Sequence, residues 1–346
     1  MADDKKIPVT IVTGFLGAGK TTLVNKILRG DHGMKIAVIE NEFGEVNIDQ
    51  ALVADNMEVK EDVVTMDNGC VCCTVRGDLV QALEQLLERE KKFDHVLIEL
   101  TGLADPAPVA FTFFLNSEIG EHYRIDSILC LADSKHIKQH LEEVKADDAV
   151  NEAIQQVAFA DRILLNKVDL VKPEELADIK ETIRSINGFA EVLETKFSQV
   201  DLQRVLGVNS FSVEKTLDVD PTFMDELKPA GEVPPTKKKK HDLSGVSSVG
   251  VVVEGNMDFQ SINQFMFKLL QEKSKDIYRS KGVLSFEGQG NQKFVFQGVH
   301  EQMNFGPAVQ PWADDEPRVN KMVFIGRNLN RDELEAGVKA CLAANK

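Results

Sequence analysis

IPVTIVTGFLGAGKTT, residues 7–22, runs from an apolar segment through closely spaced glycines into a helix-forming sequence. Gly14, Gly19, Lys20 and Thr21 fit the spacing G-x-x-x-x-G-K-[ST]. Val9–Val12 reads as a buried strand before the loop, and Leu23–Leu28 opens a helix after it. Glycine suits this turn because backbone N–H groups must curl inward around phosphate oxygens with no Cβ in the way. The helix N-terminus adds the positive end of its dipole. Lys20 is then placed to bridge the outer phosphates, and the Thr21 hydroxyl to ligate Mg²⁺.

Working outward, each later strand end carries a polar group suited to such a site. Ile36–Ile39 is a buried strand that breaks at Glu40 into the acidic loop NEFGEVNID. A segment ordered by Mg²⁺ and a γ-phosphate belongs there, and Glu40 stands at the strand end where an α/β sheet presents ligands. HVLIELTG, residues 95–102, is another buried strand, ending at Glu99 and Gly102. Glu99 can hold the Mg²⁺ shell through water, and the Gly102 N–H can sense the γ-phosphate. RILLNKVDL, residues 162–170, closes with Asn166, Lys167 and Asp169. An Asp here accepts from both the ring N–H and the exocyclic amine of guanine, a pairing adenine cannot reproduce, so the tetrad selects GTP over ATP. EVLETKF, residues 191–197, supplies a further strand, and Thr195–Lys196 within it is a candidate to close over the base. An ATP-dependent kinase is disfavoured on the same ground.

A second chemistry interleaves with the first. VVTMDNGCVCC, residues 63–73, leads a short strand through an Asn-Gly turn into Cys70, Cys72 and Cys73, with a leucine-rich helix following. Three thiols within four residues can converge on Zn²⁺ or another soft or borderline cation. Zinc prefers four ligands, so a position stays open for a carboxylate, water or a partner group, with Glu40 and Glu45 as candidate fourth ligands. A redox dithiol, buried small residues and a purely structural zinc are the competing readings. His136 and His140 have the i, i+4 spacing of a metal pair but lie among charged residues, so a solvated helix face is expected. Cys130 and Cys341, the latter on the last helix, are expected to pack.

The 346 residues suffice for about two domains. No apolar run approaches the roughly 20 residues of a membrane span. A net charge of −16 argues against a nucleic-acid surface. MADDKKIP has no apolar leader, which makes the cytoplasm the expected location. Residues 216–245, rich in proline and carrying Lys237–Lys240, read as a linker, with a nuclear signal as the alternative. The expected organisation is a nucleotide domain at 1–215, that linker, and a smaller α/β domain at 246–346 with a mixed or antiparallel sheet and no obvious catalytic cluster. Trp312 there is expected either to pack or to face a partner.

GFLGAGKTT, ENEFGEV, NGCVCC, ELTGLADP and NKVD, followed by FVFQGVH, QPW and MVFIG, resemble in kind and order the CobW-type P-loop metallochaperone GTPases, relatives of the hydrogenase and urease nickel accessory GTPases. The resemblance covers nearly the whole chain. It implies an α/β P-loop GTPase domain with a mainly parallel sheet flanked by helices, and a smaller α/β domain of the CobW carboxy-terminal type. It implies GTP/GDP and Mg²⁺ as ligands, with Gly14, Gly17, Ala18, Gly19, Lys20, Thr21 and Thr22 matching the nucleotide loop. Glu99 to Gly102 match the acidic switch motif and Asn166 to Asp169 the guanine motif. Cys70, Cys72 and Cys73 match the metal motif, with zinc or cobalt delivered to a client metalloprotein by a monomer or a nucleotide- or metal-dependent dimer. Hydrolysis is expected to be slow unaided. The rival reading is a nucleotide-switched docking protein with a structural zinc. A histidine-rich tract is absent, His241 standing alone after the lysines, so metal storage there is not expected. The Cys-Pro docking motif of the methionine aminopeptidase activators is also absent from MADDKKIP, so that client is not carried over.

Overall fold

The computed structural model describes residues 6–41, 63–66, 74–89, 93–143, 151–211, 245–273, 276–300, 302–308 and 311–343. The three clustered cysteines, Glu45 and residues 216–244 of the expected linker lie outside the described residues. The chain divides into two compact units, residues up to 181 with 190–211, and residues 182–189 with 212 onward.

In the first unit β1 (Ile7–Thr13), β2 (Ile36–Asn41), β3 (Val63–Met66), β4 (His95–Glu99), β5 (Tyr123–Asp133), β6 (Arg162–Asn166) and β7 (Glu191–Glu194) form one sheet, in the order β3-β2-β4-β1-β5-β6-β7. Every pairing is parallel. Parallel sheets are covered on both faces, which is why these strands are apolar almost throughout. Side chains alternate between the faces. On one face Val9, Ile11, Ala37, Ile39, Val96 and Ile98 pack with Leu79, Leu83 and Leu86 of α2 (Thr74–Glu88) and with Val109, Ala110 and Phe113 of α3 (Ala107–Leu115). On the other, Val12, Val38, Leu97, Leu129, Leu131 and Leu164 pack with Leu23, Val24 and Ile27 of α1 (Lys20–Arg29). Each of those three α1 side chains contributes about 1.5–3 kcal/mol by burial. They fix the helix under the sheet's carboxyl edge. The strand order reverses at β1, with β4 on one side and β5 on the other. Open α/β sheets bind ligands at the strand ends beside such a reversal.

The other α-helices described in this unit are α4 (Ser117–His122), α5 (Ile137–Leu141) and α6 (Glu152–Phe159), and α7 (Pro173–Ile186) begins in it and passes at residue 182 into the second. α7 and the helical form of α3 lie outside the sequence expectations. α7 has legible signals: proline at its first position, Glu174 and Glu175 in the first turn, and buried Ile179, Ile183 and Ile186.

The second unit is a five-stranded antiparallel sheet ordered β11-β10-β9-β12-β8. Its strands are β8 (Val246–Glu254), β9 (Ile277–Ser285), β10 (Lys293–Val299), β11 (Gln302–Pro307) and β12 (Val319–Arg327). One face packs Val249, Val251, Phe296, Met322 and Phe324 against Ile262, Met266 and Leu269 of α8 (Phe259–Lys273) and Leu334 and Val338 of α9 (Arg331–Lys339). β11 was not expected, because Asn304, Gly306 and Pro307 depress strand propensity; as an edge strand it pairs only with β10. Trp312 packs, 5% exposed, against Val283 and Val295, with the Lys293 ammonium 4.3 Å from its ring centre. Cys130 is buried as expected. Cys341 is also buried, but in the turn beyond α9 rather than on that helix, and its Sγ donates to the Gly337 carbonyl at 3.2 Å. Among the described residues no helix is long and apolar enough to cross a membrane.

Candidate nucleotide site

The loop between β1 and α1 adopts backbone that only glycine tolerates well: φ is 136° at Gly14, 74° at Gly17 and 107° at Gly19. A Cβ on Gly14 would lie 2.2 Å from the Leu131 carbonyl oxygen, and one on Gly19 2.6 Å from Asn166 Nδ2. The loop is therefore pressed against the ends of β5 and β6. Ala18 is fully buried within it, whereas Thr22 is exposed on α1. α1 starts with no side-chain cap and no acidic residue in its first turn. No carboxylate of its own first turn offsets the positive end of its dipole. Lys20 is buried and folds back along the loop, its Nζ donating to the Gly14 carbonyl at 2.8 Å and the Phe15 carbonyl at 3.4 Å.

The Thr21 hydroxyl donates to Glu99 Oε1 at 2.9 Å, joining the loop to the end of β4. Glu99 is paired in register with Glu40 on β2. Both carboxylates are buried, at 8% and 4% exposure, and the alternation of β2 and β4 turns both to the α1 face. The Thr21 hydroxyl and the Glu99 carboxylate are oxygen donors of the kind a hard cation takes, and Glu40 stands beside them at the end of the neighbouring strand. The residues present therefore fit Mg²⁺. Gly102 is buried against the loop, with its Cβ position 2.7 Å from the Leu16 nitrogen.

At the other end of the loop Asn166, 2% exposed, makes four hydrogen bonds. Its Nδ2 donates to the Ala18 carbonyl at 2.9 Å and Ser198 Oγ at 3.0 Å. Its Oδ1 accepts from Thr195 Oγ1 at 3.1 Å and the Ser198 N–H at 2.9 Å. Ser198 Oγ donates in turn to the Gly19 carbonyl at 2.9 Å. Lys167, Phe197 and Ser198 all have left-handed backbone, at φ 61°, 53° and 54°. Non-glycine residues in that conformation cost about 1–3 kcal/mol each and persist only where the surroundings hold them. Lys167 Nζ is fastened 2.7 Å from Asp133 Oδ2 at the end of β5. Burial acts to raise the Asp133 carboxyl, but hydrogen bonds from Lys167, His136 and the Lys135 N–H outweigh it and hold the group below its usual range. Asp169 stays exposed in the short 3-10 turn after β6. Thr195 is buried and engaged with Asn166, while Lys196 is exposed.

Short motifs did not point to Asp133, Thr195 as an anchor or Ser198. Their partners are remote in sequence, and only the fold brings them together. The histidine pair is split between two settings. His136, just before α5, is exposed as expected, with its Nδ1 3.1 Å from Asp133, whereas His140 is half-buried and stacks on Phe15 with ring centres 3.9 Å apart. Among the described residues no group of three or more His, Cys, Asp or Glu side chains gathers as a metal centre.

Residues 8–194 match the family model described as the CobW/HypB/UreG nucleotide-binding domain, and residues 246–342 match the cobalamin synthesis protein CobW C-terminal domain. The zinc chaperone YjiA of Escherichia coli is 36% identical over 341 residues, covering 95% of this chain and 97% of that protein. The zinc-regulated GTPase metalloprotein activator 1 of Schizosaccharomyces pombe is 31% identical over 361 residues, covering 94% and 83%. A crystal structure of the zinc-bound YjiA GTPase from E. coli superposes with a TM-score of 0.70 at 30% identity, covering 98% of this chain and 99% of that one. A zinc-bound variant of YjiA in which one glutamate and two cysteines are alanine superposes with a TM-score of 0.71, again at 30% identity and covering 98% and 99%. Glycine loop, paired strand-end carboxylates and Asn-Lys-x-Asp turn stand together on this fold, and the chain belongs to the CobW/HypB/UreG family, with a CobW-type carboxy-terminal domain.

Proposed function

We propose that this chain is a GTPase metallochaperone, hydrolysing GTP to GDP and phosphate and using that change of state to release zinc to a client metalloprotein. The chain is a GTPase by its family, its P-loop fold and its guanine-type strand end. The polyphosphate lies along the loop from Gly14 to Thr22. Lys20 leaves the carbonyls it now holds to bridge the outer phosphates, an exchange of one set of acceptors for another at little cost in burial. The leading N–H groups of α1 carry the inner phosphates. Thr21 and Glu99 hold Mg²⁺, which when bound neutralises charge on the outer phosphates. Asp169 reads the guanine ring N–H and amine, and Asn166 keeps the base-side turn and the phosphate loop in one rigid piece. The Gly102 N–H responds to the γ-phosphate. None of GFLGAGKTT, ENEFGEV or ELTGLADP carries an arginine or glutamine to orient water or stabilise the leaving charge, so unaided turnover is slow.

Zinc, or cobalt in its place, is the cargo, held by Cys70, Cys72 and Cys73 with Glu40 or Glu45 completing the shell. The observation that carries this reading is the register of Glu40 with Glu99, which is itself hydrogen-bonded to Thr21. A metal ligand at the end of β2 and a phosphate-state reporter at the end of β4 are then adjacent, with no intervening element to dissipate the change. Coupling between two such sites is typically about 1–3 kcal/mol, or roughly 5–150-fold in affinity. The names of the zinc chaperone and activator relatives support the same cargo. The test is zinc affinity of the full chain with GDP and with a non-hydrolysable GTP analogue. A difference of at least about fivefold is expected; equal affinities refute coupled transfer.

A further inference from the structure

Beyond the motifs, one buried side chain stands between the switch loop and the helices that flank it. The loop after β4 turns at Thr101, where the Ala104 N–H donates to the Thr101 carbonyl at 3.1 Å. It is pinned at its start by the Leu100 N–H on the Val12 carbonyl of β1, at 2.9 Å. Its middle rests on one amide: Gln156 Nε2, on α6, donates to the Gly102 carbonyl and the Ala104 carbonyl, each at 3.1 Å. Gln156 is 1% exposed. The neighbouring Gln155 Nε2 donates to Asp105 Oδ2 at 3.2 Å, and Asp105 Oδ1 accepts the Ala107 N–H that begins α3.

α6 is itself tied back to the phosphate loop. Asn151 Oδ1 accepts the Ile154 N–H as the α6 cap, while its Nδ2 donates to the carbonyls of His140 and Glu143 at 2.6 and 3.0 Å. His140 stacks on Phe15, next in sequence to Leu16, whose nitrogen lies against Gly102. A closed circuit results, from Phe15 through His140, Asn151 and Gln156 to Gly102 and back to Leu16. Gly102 cannot move relative to the phosphate loop without lengthening a bond to Gln156 or pressing into Leu16.

From this circuit we propose that Gln156 is a positioning residue for the nucleotide response, its amide setting where Gly102 stands and hence how strongly the chain distinguishes GTP from GDP. The inference rests on the GTPase reading above. One amide with two donor hydrogens serves two carbonyls of the same turn, so it reports on the turn's shape rather than on a single bond. GDP lacks the γ-phosphate and does not call on Gly102. Loss of the clamp therefore weakens the triphosphate state selectively.

The test uses the full chain with Gln156→Glu, which keeps the shape but offers only acceptors to two carbonyls, and Gln156→Met, which keeps apolar bulk without donors. Fluorescent GDP and a fluorescent non-hydrolysable GTP analogue are titrated, and single-turnover hydrolysis is timed. The expected result is about tenfold weaker binding of the analogue and at least about tenfold slower hydrolysis, with GDP affinity changed by less than about twofold. Equal weakening of both nucleotides, or no change in either, overturns the proposal. If Gln156→Glu fails to fold, Gln156→Met alone decides between these outcomes. A wild-type chain that binds no GTP would instead refute the GTPase reading itself.

Discussion

Replacing Asn166 by alanine tests whether the base-side turn and the phosphate loop are one mechanical unit. The side chain is 2% exposed and makes four hydrogen bonds, to Ala18, to Thr195 and two to Ser198. Truncation removes all four. Ser198 Oγ keeps its bond to the Gly19 carbonyl, but the Ser198 N–H, Thr195 Oγ1 and the Ala18 carbonyl lose the partners described above. An orphaned buried group costs about 1–3 kcal/mol, so the three together cost about 4 kcal/mol after partial relaxation. The left-handed backbone at Phe197 and Ser198 also loses its restraint and relaxes toward ordinary φ, which carries the turn away from Gly19. Urea unfolding of the nucleotide domain followed by circular dichroism should report that loss, and fluorescent GDP titration should show binding weakened by more than about tenfold. Asn166→Asp should be nearly as damaging, because it keeps the acceptor but strips both donors and buries a charge. A loss below about 1 kcal/mol with unaltered GDP affinity would sink the clamp argument.

Asp169 is exposed and carries no such framework, so Asp169→Ala should leave unfolding within about 0.5 kcal/mol of wild type. It should nonetheless erase the preference for GTP over ATP by about tenfold or more in competition titration, since the bidentate contact to guanine is gone. His95, 1% exposed with Nε2 2.8 Å from Thr10 Oγ1, has its pKa lowered from 6.5 to about 4 by burial, with Asp126 opposing and Arg124 adding to the shift. The native ring is therefore neutral while the unfolded one takes up a proton between pH 6.5 and 4. Stability should be fully present above pH 6.5 and fall by about 3 kcal/mol as the pH drops to 4. Urea midpoints measured across that range for wild type and His95→Gln should differ in slope; parallel curves would show that the histidine contributes nothing.

What could be read from the chain alone was what is local. The strand, loop and helix around Gly14 to Thr21 declare themselves because glycine freedom and apolar periodicity act over a few residues. The strand ends carrying Glu40, Glu99 and Asn166 were legible for the same reason. What was not legible is long-range pairing. Asn166 reaches Ala18 across most of the domain's sequence, and Gln156 looks like any polar residue in an amphipathic helix until the fold places Gly102 beside it. His140 carries the lesson in reverse: charged neighbours made it read as solvated, yet its ring stacks on Phe15. In the second unit the core strands were evident from their β-branched and aromatic content, while edge strand β11 was masked by residues that tolerate an edge and weaken a centre.

The pairing of Glu40 with Glu99 also bears on how such a chain can change length over generations. Both side chains face α1 because each sits an even number of residues from Val38 or Leu97, which pack on that helix. Inserting or deleting a single residue within β2 or β4 would turn one carboxylate through the sheet, toward α2 and α3, and separate it from Thr21. Insertions outside the strands carry no such parity penalty. Among related chains β2 and β4 should therefore keep their residue count even where their apolar residues exchange freely.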